Sequence, residues 1–204
     1  MTEMPKKDRI LQTAVDIFRE KGKNTTISEI GKKAGVTDSI IYHYFENKED
    51  LLLHAPGEHL KALTEILKKH LENHPDPLDR FREFMHLQLH YHDTNPNYTN
   101  LTIFECRSKE RFFRHAAFGY FRNWTVFMRD ILVECMDKGI FRQDLHVPVV
   151  RDAIFGLLDM ESIHSLAARE IDEAHRDMDD IMALLLPMLT PEKKPRPDDS
   201  DKAA

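Results

Sequence analysis

Residues 35–45 read Gly-Val-Thr-Asp-Ser-Ile-Ile-Tyr-His-Tyr-Phe, a glycine followed by a short segment with a helical apolar pattern. Thr37 is a favourable N-cap for a helix over residues 38–45, and Gly35 ends the helix before it. Directly upstream, Thr26-Ile27-Ser28-Glu29 has the spacing of a capping box, which predicts another short helix. Two short helices around a glycine turn form a helix-turn-helix, whose second helix can enter a major groove roughly 12 Å wide.

A longer helix is predicted on each side of this pair. The segment from about residue 6 to 21 repeats apolar residues at helical spacing and stops at Gly22. Asn47 is the predicted N-cap of a helix that begins at Lys48 and continues with regularly spaced leucines. Pro56 and Gly57 interrupt that pattern, and because a proline removes a backbone hydrogen bond, we expect a kink there.

The remaining sequence predicts further helices and contains no convincing strand pattern. Asp-Pro at residues 76–77 and Asn-Pro at residues 95–96 each combine an N-cap with a proline at the first helical position. One long run rich in aromatic residues follows over about 109–138, and two more apolar helices are predicted over about 148–168 and 172–187. The expected fold is all-α with about nine helices: a helix-turn-helix head over residues 1–47, a helical bundle over 48–189 and a disordered tail over 190–204.

The composition excludes several classes of protein. Gly accounts for 7 of 204 residues, about half its usual frequency, which disfavours a turn-rich β fold and a Rossmann-type nucleotide fold. Cys106 and Cys135 form no CxxC pair, so neither a disulfide framework nor a structural zinc site is indicated. No apolar run approaches the roughly 20 residues that span a bilayer, and the polar N-terminus does not resemble a signal peptide. We therefore expect a cytoplasmic protein with no membrane partner.

The net charge of −6 is unevenly distributed along the chain. Residues 1–52 carry nine Lys and Arg against nine Asp and Glu, so the acidic excess lies entirely in the remainder. If any part of the chain binds nucleic acid, it is therefore the N-terminal quarter.

The helix-turn-helix segment, together with Asn47-Lys48-Glu49-Asp50-Leu51 after it, closely resembles the signature of TetR-type transcriptional regulators. The resemblance implies a homodimer that binds a double-stranded DNA operator, with no catalytic residue and no cofactor. Five side chains are implied as phosphate contacts, namely Thr26, Thr37, Tyr42, Tyr44 and Lys48. Four more are implied to face base edges, namely Asp38, Ser39, Ile40 and His43. The family commonly has Gly and Thr where this chain has Ser39 and Ile40, so the operator sequence is left open.

A second resemblance covers roughly residues 100–189. The segments Phe104-Glu105-Cys106-Arg107-Ser108, residues 139–144 and Phe155-Gly156-Leu157-Leu158-Asp159 resemble the C-terminal domain of the acyl-CoA-responsive FadR-like branch. This implies a repressor of fatty-acid degradation genes that is released by a long-chain acyl thioester. An aromatic tunnel lined by Phe84, Phe113, Phe121, Trp124 and Phe155 would suit an acyl chain, although each could equally be an ordinary core residue. Arg107 and Asp159 are interpreted either as pocket groups or as a satisfied buried pair.

The resemblance also implies how the chain dimerises and how it responds to a ligand. Regulators of this type pair through their last two long helices, whose apolar residues here are Val150, Ile154, Leu157, Ile181, Leu184 and Leu185. Ligand binding shifts the long helices, moves the helix from Lys48 and changes the separation of the two heads. The Pro56-Gly57 pair is a hinge hypothesis within that scheme.

Three alternatives remain open from the sequence. The first keeps the regulator and assigns it another hydrophobic effector, as in control of efflux or detoxification. The second is a metal sensor or metalloenzyme that uses His86 and His90 at i, i+4, with His92, Glu161 or His164 as third ligand. No HExxH motif accompanies them, so no metal site is assigned. The third is a helical interaction protein whose neutral head has lost DNA binding.

Overall fold

The computed structural model describes residues 4–171 and 178–192, and within those ranges it contains ten α-helices and no strand. The predicted start of the last helix at Asp172 lies outside the described residues, as does the tail from residue 193 onward. The helices are α1 Lys6–Lys21, α2 Ile27–Ala34, α3 Asp38–Tyr44, α4 Lys48–Leu71, α5 Pro77–Thr94, α6 Pro96–Asn100, α7 Glu110–Arg114, α8 Phe118–Asp137, α9 Val147–Ile171 and α10 Met178–Leu189. The predicted all-α fold is confirmed.

The turn between α2 and α3 forms as its sequence predicts. The Thr26 hydroxyl accepts a hydrogen bond from the Glu29 amide at 3.3 Å, and the Glu29 carboxylate accepts one from the Thr26 amide at 2.9 Å. Gly35 adopts φ +65°, a left-handed conformation that favours glycine. A side chain at Gly31 would bring its Cβ within 2.9 Å of the Val36 carbonyl oxygen, so this glycine lets the turn fold back onto α2.

The apolar core of the head extends into the rest of the protein rather than ending at a polar linker. Ile10, Phe18, Ile41 and Phe45 of the head pack with the leucines at the start of α4. The same cluster extends into the body of the protein through Leu101, Cys106 and Phe112. The segment that carries these three residues is therefore in direct packing contact with the head.

The helix α4 continues from Lys48 to Leu71 with Pro56 inside it, so the expected kink does not end the helix. The Pro56 carbonyl accepts a hydrogen bond from the Tyr98 hydroxyl at 3.1 Å, and the proline itself is buried. A Cβ on Gly57 would lie 2.8 Å from the Ala117 Cβ and 2.9 Å from the Tyr120 ring. These two residues thus serve close packing between α4 and the start of α8, which offsets the cost of the proline.

The aromatic run over residues 109–138 is not one helix, as the sequence predicted, but two. His115 has extended backbone angles (φ −80°, ψ 145°) and separates the short helix α7 from α8. Upstream, α6 widens at residues 101–106 into a π-helical turn, in which the Arg107 amide donates to the Thr102 carbonyl five residues back at 3.0 Å. Such turns are rare and frequently mark functional sites.

The bundle core is built from one face of each of α5, α8, α9 and α10, together with the second half of α4. Its fully buried side chains include Phe81, Phe84, Met128, Leu132 and Ile154. Within the described ranges, no helix combines the length and the apolar character needed to cross a membrane.

Candidate nucleic-acid interface and ligand cavity

The exposed face of α3 carries most of the side chains that the sequence predicts for DNA contact. Tyr42 is 54% exposed and Tyr44 is 38% exposed, while Ile41, just before them, is fully buried. Ser39 and His43 are also exposed. Thr37 is exposed, and its hydroxyl does not cap the helix. Packing of the head does not explain why two tyrosines are exposed here. Contacts with a ligand beside α3 would explain it.

Two of the four predicted base-reading side chains already have intramolecular partners. The Asp38 carboxylate accepts a hydrogen bond from the Ser28 hydroxyl at 2.5 Å, which ties α3 to α2. Ile40 is half-buried against the core of the head. Ser39 and His43 are therefore better placed than Asp38 and Ile40 to reach base edges.

The remaining two predicted phosphate contacts lie at helix N-termini. Thr26 is exposed at the start of α2, and its hydroxyl also donates to the Glu29 carboxylate at 3.0 Å. The Glu29 carboxylate accepts a hydrogen bond from the Lys21 ammonium, and this bond and that from Thr26 lower the pKa of Glu29 to about 2. Lys48 is half-buried in the first turn of α4. Both positions combine donors with the positive end of a helix dipole, which suits a phosphate.

One cavity of about 560 Å³ lies in the bundle and opens toward solvent. It brings together six of the seven predicted ligand residues: Arg107, Phe113, Phe121, Trp124, Phe155 and Asp159. The seventh, Phe84, does not line it. Phe84 is fully buried behind the wall, with its ring centroid 5.2 Å from that of Trp124 and 6.2 Å from that of Phe155. Its helical spacing alone could not distinguish a core face from a cavity face.

The polar wall of this cavity is organised by an ion pair. The Arg107 guanidinium donates to both carboxylate oxygens of Asp159, at 2.8 and 2.7 Å, joining the end of the π-helical turn to α9. The Arg107 side chain is 41% exposed, so the pair is not buried, and both residues line the cavity as partners of each other. A bidentate contact of this kind holds the guanidinium in a defined orientation.

Several lining residues were not predicted as ligand contacts, among them Gln88, His92, Tyr98, Thr102, Arg122 and Arg151. Burial lowers the pKa of His92 to about 4, so its ring is neutral at physiological pH. Its two ring nitrogens lie 2.7 Å from the Gln88 amide nitrogen and 3.0 Å from the Thr99 hydroxyl. The sequence analysis considered His92 only as a possible third metal ligand, because the chain is rich in histidine.

A second cavity of about 200 Å³ adjoins the first. Leu63, Tyr91 and Trp124 line both, so these side chains form the wall between them. The rest of the smaller cavity is lined mainly by aliphatic residues of α4 and α5, with His70 and His90 at its edge.

The short helix α7 has one face in the large cavity and another on the head. Phe112 and Phe113 line the cavity. On the other side, the Arg111 guanidinium lies 3.1 Å from the Glu46 carboxylate and 3.6 Å from that of Glu49. The Lys109 ammonium adds a contact to Glu49 at 3.3 Å. This segment is consequently in contact with both the cavity and the turn between α3 and α4.

His115, directly after α7, makes the most buried of these contacts. Its Nδ1 atom accepts the Ala117 amide at 3.1 Å, so its Nε2 atom carries the proton that it donates to Asp50 at 2.9 Å. Asp50 also accepts the Glu46 amide at 3.0 Å. Burial opposes ionisation of Asp50, but the hydrogen bonds from His115 and Glu46 outweigh it and lower the pKa of Asp50.

The predicted metal pair is not part of a ligand set in the described part of the chain. His86 and His90 are exposed on α5. Among the residues that the structure describes, the sets of three candidate ligand atoms within 4.8 Å of one another are Asp50 with His54 and His115, and His70 with His74 and Glu83. Neither set contains His86, His90, His92, Glu161 or His164.

Comparisons with known proteins agree with this architecture. Residues 10–55 match the family described as bacterial regulatory proteins, tetR family, and residues 57–180 match the C-terminal region of YsiA-like proteins. The fatty acid metabolism regulator protein of Bacillus subtilis (strain 168) is 26% identical over 156 residues, covering 76% of this chain and 80% of that protein. The HTH-type transcriptional repressor KstR2 of Mycolicibacterium smegmatis is 29% identical over 160 residues, covering 71% of this chain and 72% of that protein.

Solved structures share the fold. The crystal structure of the regulator FadR from Bacillus subtilis in complex with stearoyl-CoA superposes with a TM-score of 0.72. It is 23% identical and is covered over its whole length by 92% of this chain. The head, the long helix after it and the bundle are therefore a known arrangement.

Proposed function

The chain belongs to the TetR family of bacterial regulatory proteins, a ligand-responsive class of DNA-binding regulators, and we propose that its effector is a long-chain acyl thioester. It acts as a homodimeric repressor that the thioester releases from its operator. The observation that carries the proposal is the cavity of about 560 Å³, whose aromatic wall and three arginines match the two ends of such a molecule. Its volume lies within the range of roughly 300–1,000 Å³ that is usual for small-molecule sites.

The apolar part of the cavity accounts for the acyl chain. Phe113, Phe121, Trp124 and Phe155 offer ring faces and edges with few polar atoms. The adjoining cavity of about 200 Å³ would extend this space for longer chains if Leu63 or Tyr91 changed rotamer. We therefore expect affinity to rise with chain length until both spaces are filled.

The polar part accounts for the coenzyme. Arg122 and Arg151 line the same cavity as Arg107, and guanidinium groups bind phosphate oxygens in a bidentate manner. The relative from Bacillus subtilis is named as a regulator of fatty acid metabolism, and its crystal structure contains stearoyl-CoA. Both facts support an acyl thioester as the effector here.

A second candidate effector is a hydrophobic molecule that lacks phosphate groups. It is favoured by the carboxylates of Asp152 and Asp159, which line the cavity beside Arg151 and Arg107. Each of these carboxylates neutralises an arginine that would otherwise attract a polyphosphate. Such an effector would make the chain a regulator of efflux or detoxification.

The dimer is supported by apolar side chains that lie exposed on the last two helices. On α9 these are Val149, Ala153, Gly156 and Met160, and on α10 they are Ala183, Leu184, Pro187 and Met188. Of the six residues that the sequence suggested for the interface, Ile154, Ile181 and Leu185 are instead buried in the core of one chain. Exposed apolar rows at helical spacing on two helices suit an isologous four-helix contact with a second copy.

The route from cavity to head is proposed to run through α7. An acyl chain that displaces Phe112 or Phe113 would tilt this short helix, because both rings line the cavity and belong to its single turn of helix. The tilt would strain the contacts of Arg111 with Glu46 and of His115 with Asp50. Since Asp50 lies in the first turn of α4, the turn after α3 and the recognition helix would move with it.

The test measures binding of the purified protein to a fluorescent fragment of its own upstream DNA, titrated with acyl-CoA thioesters of increasing chain length. Free CoA and free fatty acids serve as ligand controls. Release that strengthens with chain length and requires the thioester supports the proposal. Release by the fatty acid alone would favour the second candidate, and DNA binding that ignores all of these ligands would overturn the acyl-thioester proposal.

Two exposed phenylalanines provide a matched pair of variants for this assay. Phe113 is 56% exposed and lines the cavity, whereas Phe104 is 46% exposed and does not. Phe113→Ala is expected to raise the thioester concentration needed for release by about tenfold, the loss that follows from removing one large apolar contact. Phe104→Ala should leave that concentration unchanged.

A further inference from the structure

Two histidines and a glutamate converge where α4 ends and α5 passes it. His70 lies in the last turn of α4, His74 follows the end of that helix, and Glu83 projects from α5. One candidate ligand atom of each lies within 4.8 Å of the other two. The His70 Nε2 atom is 2.8 Å from a Glu83 carboxylate oxygen, and the two imidazole centroids are 5.5 Å apart.

The backbone brings the two histidines together. The Asn73 amide donates to the His70 carbonyl at 3.2 Å, and the His74 amide donates to the Leu71 carbonyl at 3.0 Å. These tight turns continue the curvature of α4 past its end, so that His74 returns to the side of the helix that carries His70. Asp76 then caps the N-terminus of α5, which fixes the start of the helix that presents Glu83.

We propose that His70, His74 and Glu83 bind a divalent transition metal ion, with Zn²⁺ as the ion that best suits the set. Two imidazoles and one carboxylate, with water as the fourth ligand, are a common tetrahedral zinc arrangement. Ligand atoms about 2.0–2.1 Å from a metal lie roughly 3.3 Å from one another. The three side chains need small rotamer changes to reach that spacing, and their partial exposure permits them.

The other cluster of possible ligands is less suited to a metal. In that cluster, the Nδ1 atom of His115 accepts the Ala117 amide, so its Nε2 atom carries a proton and cannot offer a lone pair. Metal binding through Nε2 would move that proton to Nδ1, where it would face the amide hydrogen of Ala117. In the set at the end of α4, His70 Nε2 also faces a carboxylate, but no amide donor is described at its Nδ1 atom, so the proton can move there when Nε2 binds the metal.

A metal at this place would act on α4, the helix whose first turn receives the proposed signal from α7. It would join the end of α4 to α5, and His70 also lines the smaller cavity. Because a metal that binds only the folded arrangement stabilises it, the ion would restrain α4 against the movement that releases DNA. The site would therefore oppose the effector, a consequence that rests on the proposed function, whereas metal binding itself does not.

The experiment measures Zn²⁺ binding to the full-length, untagged protein by equilibrium dialysis and by the shift in thermal unfolding temperature. We expect one ion per chain in the wild type. His74→Ala and Glu83→Gln should each weaken binding by at least about tenfold, as expected for loss of a direct ligand. His86→Ala removes an exposed histidine of α5 that belongs to neither cluster, and should leave binding unchanged.

His74→Ala also separates a metal site from a simple ion pair. The contact between His70 and Glu83 does not involve His74. If these two residues formed only an ion pair, His74→Ala would not change the effect of Zn²⁺ on the unfolding temperature. Absence of stoichiometric binding, or binding that His74→Ala leaves intact, would overturn the proposal. This experiment does not measure DNA release, so it tests the metal site whether or not the acyl-thioester proposal is correct.

Discussion

The Nε2 atom of His115 lies 2.9 Å from the Oδ1 atom of Asp50 and joins the segment beside the ligand cavity to the first turn of α4. Both side chains are largely buried, with 9% and 11% of their surface exposed. A hydrogen bond to a buried carboxylate is stronger than one at the surface, and losing it would leave Asp50 with only the Glu46 amide and His54 as partners. It is therefore a strong candidate for the link between cavity and head.

Removing the His115 side chain is expected to uncouple the effector from DNA binding. Family couplings of roughly 1–3 kcal/mol correspond to about a 5- to 150-fold change in operator affinity on saturation with ligand. In His115→Ala this ratio should approach one, while binding of the effector itself persists. The ratio is measured from operator affinities with and without saturating stearoyl-CoA. His146→Ala, an exposed histidine before α9, is the control and should keep the wild-type ratio.

Two glycine substitutions should have opposite effects on stability. Gly57→Ala places a Cβ 2.8 Å from that of Ala117 and should destabilise the fold by about 1–3 kcal/mol, the usual cost of overpacking. Gly119→Ala meets no atom within 4 Å and should stabilise α8 by roughly 0.5–1 kcal/mol, since alanine favours the helix. Urea unfolding of both variants measures the difference. Equal effects would show that α4 and α8 do not pack as closely as described.

The proposed dimer can be tested at a position on α9 where an added side chain would contact nothing within its own chain. A Cβ on Gly156 meets no atom within 4 Å, so Gly156→Arg should leave the fold of the monomer intact. In the proposed four-helix contact, the same side chain would hold the partner helix away. We expect Gly156→Arg and Leu184→Glu to sediment as monomers at micromolar concentration. Ile66→Glu alters a residue of α4 that is 66% exposed and should remain dimeric.

The buried His92 should make stability depend on pH. Its pKa is lowered to about 4 in the folded protein, against an ordinary value of 6.5, mainly because burial disfavours the charged ring. Between those two pH values the unfolded chain binds a proton that the folded chain does not, so stability falls as the pH is lowered through this window. His92→Gln should flatten the dependence of the unfolding temperature between pH 7 and 4. His86→Gln should retain the wild-type slope.

The head could be predicted from the sequence because its signals act within one or two turns of helix. The capping box of Thr26 and Glu29 and the left-handed Gly35 each need only their near neighbours, and the structure contains both. The exposure of Tyr42 and Tyr44 beside the buried Ile41 follows from the same short period. Six of the residues that line the large cavity were also predicted, from the local aromatic pattern and the resemblance to a family.

Tertiary structure alone decided which faces of the long helices meet. The apolar patterns of Phe84 and Phe155 look alike along the chain, yet one side chain is core and the other lines the cavity. The pattern around Pro56 and Gly57 predicted a kink, whereas the contacts of these two residues with residues some 40 to 60 positions away appear only in the tertiary structure. The three ligand atoms of His70, His74 and Glu83 likewise come together only where α5 passes the end of α4. Local sequence determines where helices begin and end because capping and backbone conformation are short-range, while cavities and clusters depend on packing between segments that are distant in sequence.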